Sequence, residues 1–112
     1  MKRRLVAGAV ATGTLVSLIF APMPGIAQAP KGPIERGALT FTSQGCHGCH
    51  LVGKFGTPIG PDLTHIGSRY RASYLASWLR DPQSVRPAAH MPKLELTGED
   101  VEALAAYLGS LK

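Results

Sequence analysis

The chain has 112 residues, twelve lysines and arginines against seven aspartates and glutamates for a formal charge of +5, and only two cysteines. That length holds one domain and excludes an enzyme built from several, each with its own core. Three of the cations are Lys2, Arg3 and Arg4; the nine basic and seven acidic side chains beyond them form no basic block and no interleaved aromatic stripe, so a nucleic-acid partner is excluded.

The first predicted element is a leader. Lys2, Arg3 and Arg4 precede an apolar run from Leu5 to Ala21, and the chain turns polar after Pro22-Met23-Pro24-Gly25. A charged start, an apolar middle and a small-residue exit describe an export signal. Cleavage is expected after Ala27 rather than after Ala29, because Pro30 directly behind the scissile bond fits a signal peptidase poorly. The alternative is an uncleaved anchor, but about 17 residues sit at the short edge of what spans a bilayer, and Gly8, Thr12, Gly13, Thr14 and Ser17 weaken the run. Residues 1–27 are therefore read as signal peptide and residues 28–112 as the domain. A domain of that size has a small core and stands barely above the limit at which folds need a staple. A disulfide between Cys46 and Cys49 would close too short a loop to serve.

Pro33 suits the first turn of a helix, and Ile34, Ala38, Phe41 and Thr42 follow at near-helical spacing until Gly45. "GCHGCH" follows at residues 45–50. Five glycine or proline breakers from Gly53 to Pro61 make the next stretch a loop. From Ala72 to Arg80 helical spacing returns with Tyr74, Leu75, Trp78 and Leu79 on one face, and Asp81-Pro82 stops it. Pro82, Pro87 and Pro92 stiffen a connector. Thr97 with Asp100 is a capping-box variant, opening a last helix with an apolar stripe of Val101, Leu104, Tyr107, Leu108 and Leu111. No segment alternates like a strand for more than a few residues, so the class is all-α, with three to four short helices.

Three chemistries use two thiols three residues apart with an imidazole directly behind. A thioredoxin-type redox pair stands at a helix start in a βαβ unit, and no strand precedes this one. Zinc takes four ligands, usually in two pairs; Cys46, Cys49 and His50 would need His65 or His90, neither of which has a partner at ligand spacing. Haem attachment needs two thiols to add across the two vinyl groups of one porphyrin edge and a histidine to reach the iron. Cys46-His47-Gly48-Cys49-His50 supplies all three. His47, flanked by the cysteines, cannot swing under the iron. For the sixth position the domain holds one methionine, Met91, on the stiff connector, since Met1 and Met23 belong to the leader. Most methionines fill core gaps, but a loop position before Pro92 argues for ligation. His90 is the rival ligand.

The pattern resembles the monohaem class I cytochromes c over nearly all of residues 28–112. Gly37 and Phe41 look like the face by which that family's first helix crosses its last, opposite Leu104 and Tyr107. Gly60-Pro61 resembles the turn whose proline carbonyl takes the proton of the ligating histidine. "GPDLTHIGSR", "WLRDPQSVRP" and "HMPKLELTGEDVEALAAYL" look closest to the cytochrome domain fused to subunit II of some haem-copper oxidases and to small free carriers like it. A free-standing version is expected, without the copper-binding domain. The resemblance implies one haem c, covalent through Cys46 and Cys49, with His50 and Met91 as axial ligands. It also lets Trp78, otherwise a core residue, reach a haem propionate, and lets Arg69 neutralise one. His65 is expected to be exposed.

With both axial positions filled, electron transfer rather than substrate conversion is implied, at a positive potential. The expected role is that of a monomeric periplasmic carrier, taking electrons from a quinol-oxidising complex or a periplasmic dehydrogenase and giving them to a terminal oxidase or reductase. Membrane contact is expected only if the leader is retained. Two other roles compete: a tethered haem subunit of a dehydrogenase or oxidase complex, and a haem sensor or peroxidase with a dissociable Met91.

Overall fold

Pro33 opens α1 (Pro33–Ser43), where its missing N–H costs no hydrogen bond, and Glu35 in the first turn accepts from Lys31 N at 2.7 Å. In the computed structural model, which describes residues 8–11, 13, 15, 18, 19, 21, 25 and 28–112, the chain leaves α1 through Gln44 and enters the left-handed region at Gly45 (φ 73°). The expected leader, residues 1–27, lies mostly outside the described residues. No helix among the described residues is long and apolar enough to cross a membrane.

A single 3-10 turn at Cys46–Gly48 leads into a small antiparallel hairpin, β1 (Leu51–Val52) and β2 (Phe55–Gly56), with Leu51 opposite Gly56 and Val52 opposite Phe55. Then come α2 (Ile66–Arg69), α3 (Ala72–Arg80), α4 (Pro82–Val85) and α5 (Gly98–Ser110). The expectation of three to four helices is thus corrected to five helices and a hairpin among the described residues. The two additions, α2 and α4, are single turns of four residues, too short for helical periodicity to register. The other boundaries fall where expected: α3 ends before Asp81-Pro82, and Thr97 and Asp100 complete the capping box, with Asp100 N donating to Thr97 Oγ1 at 3.1 Å and Thr97 N to Asp100 Oδ2 at 3.2 Å.

The core forms where α1, α2 and α3 meet α5. Phe41, Ile66, Leu75, Leu79, Val101, Leu104 and Leu108 are its large members, and α5 supplies three of them. Ile34, which the spacing placed on the inner face of α1, is instead half exposed; Gly37 and Phe41 are the buried residues of that helix. A Cβ on Gly37 would overlap the carbonyl of Ala103 and fall 2.5 Å from Cβ of Tyr107, so the helices cross at backbone contact. Gly37→Ala in the haem-loaded protein is expected to cost about 1–3 kcal/mol by forcing the helices apart. Guanidinium titration checks this, and parental stability would show that the crossing is loose.

The last residues seal the far side of the core. Gly67 N donates to Leu111 O at 2.7 Å, Lys112 Nζ donates to Gly67 O at 2.7 Å, and His65, exposed as expected, bonds Lys112 O through Nδ1 at 2.8 Å. Two exposed ion pairs, Arg36 with Glu99 and Arg80 with Glu102, join α1 and α3 to α5; such pairs contribute little.

Candidate functional site

Gly45 and the 3-10 turn set the geometry of the cysteine motif. Carbonyl oxygen of Cys46 accepts from the N–H groups of both Cys49 (3.2 Å) and His50 (3.0 Å), which winds the two thiols and the imidazole around one backbone turn. Both thiols are free. Cys49 is exposed, whereas Cys46 is half-buried and packs against the core. Burial, with a smaller contribution from Cys49, pushes the Cys46 thiol above its ordinary pKa, so it is neutral at pH 7.

His50 is held from two sides. Its Nδ1 lies 2.7 Å from the carbonyl oxygen of Pro61, which can only accept, so in this bond Nδ1 carries the proton and Nε2 keeps a free lone pair. Gly60 lies flat against the same ring: a Cβ there would sit 2.7 Å from His50 Cε1. The turn that presents Pro61 is tied down in turn. Gly60 N donates to Cys49 O at 2.6 Å, Leu63 N to Leu51 O at 2.9 Å, and Gly53 N to Thr64 Oγ1 at 2.8 Å. Asp62 then accepts from Thr64 N at 2.8 Å and from the Thr64 hydroxyl.

Those two Thr64 bonds hold the Asp62 carboxyl below its usual range, the hydroxyl having the larger effect. A depressed folded pKa means that the carboxylate contributes stability above the ordinary aspartate value, and that this contribution is lost as pH falls through the lower, folded value. A thermal melt of the haem-loaded protein should therefore weaken below about pH 4. Asp62→Ala should melt at a temperature that varies less over that acid range; an unchanged acid limb would show that the bonds hold nothing.

Met91 lies on the loop between α4 and α5. Its side chain is half-buried and packs on the same apolar cluster as Cys46, Val52, Leu63 and Leu96. Trp78 donates its indole N–H to Met91 Sδ at 3.2 Å. Arg69, at the end of α2, is exposed and has no ion-pair partner among the described residues. His90, beside Met91, is exposed. Thus Cys46, Cys49, His50 and Pro61 form one group and Trp78 and Met91 a second, and Arg69 joins neither through a side-chain bond.

His47 stays out of both groups. Its ring meets Phe41 edge-on at 4.8 Å, and its Nδ1 is buried without a hydrogen-bond partner among the described residues. Two supports escaped sequence reasoning: the Asp62 and Thr64 pair, and Gln83, whose amide nitrogen donates to Ala89 O and Met91 O. Asp two residues before Thr is a turn signal that had been available; Gln83 carries none.

A small helical domain with a Cys-x-x-Cys-His turn, a proline-bonded histidine and a methionine packed on the same core is the framework of a covalent haem protein. The family model of cytochrome c matches residues 34–112, and the chain belongs to that family. It is a class I cytochrome c resembling the cytochrome domain of an oxidase second subunit. It is similar to cytochrome c oxidase subunit 2 of Alkalihalophilus pseudofirmus, 43% identical over 87 residues that cover 70% of this chain and 25% of that protein. Cytochrome c oxidase subunit 2 of Bacillus sp. strain PS3 is 33% identical over 99 residues, covering 71% of this chain and 27% of the relative. The chain spans about a quarter of the length of these curated relatives. Family membership implies haem c and electron transfer through it.

Proposed function

We propose that residues 28–112 form an exported single-electron carrier in which one haem c would be bonded through Cys46 and Cys49 and held by His50 and Met91. The observation that carries the reading is the placement of Cys46 and Met91 on one apolar cluster while Pro61 fixes the His50 tautomer with Nε2 free. The donor set fits the group: two free thiols on one turn, an imidazole with an available lone pair, and a thioether packed on the same apolar cluster as Cys46. When bound, the haem supplies a metal that changes charge by one electron while both ligands stay on.

The chain's own residues do the rest. Pro61 and Gly60 hold the imidazole in one orientation, so oxidation and reduction need no ring rotation. Trp78 holds the Met91 sulfur, and a thioether favours the reduced state, which supports a positive potential. Such a protein suits transfer from a quinol-oxidising complex or periplasmic dehydrogenase to a terminal oxidase or reductase, by brief contacts of less than about 1,200 Å². Arg69 is proposed to face a propionate, and the leader to be removed, leaving a monomer in the periplasm.

The names of the two relatives favour a second reading, a haem relay held within an oxidase complex. One experiment addresses both. Chain produced with haem attached is titrated potentiometrically and weighed by mass spectrometry, and its release is followed through a membrane wash. A one-electron couple at positive potential, a mass starting at Gln28 and recovery in the soluble wash support the carrier. A retained leader and membrane residence favour the relay. Absence of covalent haem overturns both.

A further inference from the structure

The loop that carries Met91 is held by a residue that the function above does not use. Gln83 lies on α4, a single turn that begins at the fully buried Pro82 and is closed by bonds from Ser84 N to Asp81 O at 3.2 Å and Arg86 N to Pro82 O at 2.9 Å. From this turn the Gln83 carboxamide nitrogen donates to Ala89 O at 3.1 Å and to Met91 O at 2.9 Å. A carboxamide nitrogen has two hydrogens, and both are committed to carbonyls that flank His90. The peptide before His90 and the peptide after Met91 are thereby held, which pins the two-residue segment His90-Met91 at both ends. His90 is left exposed, and Met91 turns inward with its sulfur on Trp78.

We propose that Gln83 is a positioning residue that selects Met91 over the adjacent His90 as sixth ligand; this rests on the His50 and Met91 ligation argued above. Imidazole is the better donor to ferric iron, so a loop free to rotate by one residue would offer His90 instead. Trp78 does not prevent that rotation. It holds one atom at the end of a side chain with three rotatable bonds, whereas Gln83 holds the backbone before His90 and after Met91 and so fixes the segment that contains both candidates.

The test uses haem-loaded Gln83→Ala and Gln83→Glu, with the parent alongside. Glutamate keeps the length of the side chain but has no hydrogen to donate at neutral pH. Both variants should lose most of the far-red absorption that sulfur-to-ferric-iron bonding gives, show a lower potential, and bind carbon monoxide in the ferrous state about tenfold faster, as expected for two lost neutral hydrogen bonds. Helix content by circular dichroism should be parental, because Gln83 is exposed. Adding His90→Ala to Gln83→Ala should restore the far-red band by removing the competitor, while carbon monoxide binding stays fast. Parental band, potential and carbon monoxide rate in both variants would overturn the proposal. So would a parental Gln83→Glu beside an altered Gln83→Ala, since packing would then be the cause. A parent protein lacking the far-red band overturns the ligation itself, a result distinguishable from a parent that has the band and variants that keep it.

Discussion

Cys46→Ala combined with Cys49→Ala is expected to yield an unfolded or rapidly degraded chain. No residue from Gln44 to His65 or from Gln83 to Asp100 is buried, although the two stretches contain Leu51, Val52, Leu63, Met91, Leu94 and Leu96. Those side chains are only half-buried by the protein itself. The helical core on α5 is small, and domains of this size have little stability to spare once a central packing element is removed. A covalently held haem would give the two stretches a large rigid ring to pack against; without it their ordering entropy, about 1–2 kcal/mol per residue, is opposed by little burial. Circular dichroism of the haem-free protein decides the matter. Full helix content with a cooperative melt would show that the helices stand without the cofactor.

Met91→Ala is the second large effect, and it acts on chemistry rather than on the fold. Sulfur donates weakly to ferric and comparatively well to ferrous iron, so its removal should lower the potential and open the sixth position. The variant should bind carbon monoxide readily, gain some peroxidase activity and lose the far-red band. Met91→His should keep six ligands and also lower the potential, since imidazole favours the ferric state. His90→Ala should leave spectrum and potential nearly parental, as its side chain is exposed. The reverse pattern, with His90→Ala losing the sixth ligand and Met91→Ala unaffected, would make this a bis-histidine cytochrome working at lower potential with other partners.

How much of this was legible in the sequence depended on the length scale of each signal. Pro33, the Asp81-Pro82 stop and the Thr97 cap are local, and the backbone obeys them within a residue or two. Spacing located both long helices, but their pairing at Gly37 came from the family resemblance. Periodicity could not find α2 or α4, because a four-residue turn has no period, nor the hairpin, whose strands are two residues long. In the site, Cys46, Cys49 and His50 were readable because one turn contains them all, and the bond from His50 to Pro61 followed from a family pattern. The bonds from Trp78 to the Met91 sulfur and from Gln83 to two loop carbonyls were not readable. They join residues whose distance depends on how α3 and α4 are aimed, and sequence spacing does not encode that angle.

The crossing at Gly37 also bears on the order of events during biosynthesis. Gly37 and Phe41 on α1 find their cover on α5, the last helix of the domain. In a chain delivered across a membrane from its N-terminal end, the first helix has nothing to close on until the final one has emerged. Cys46 and Cys49 arrive well before that, on a segment with no buried residue to hide them. If the chain is exported, the topology would leave an interval in which Cys46, half-buried against the core once α5 closes over α1, is presented on open polypeptide beside Cys49, which stays exposed afterwards.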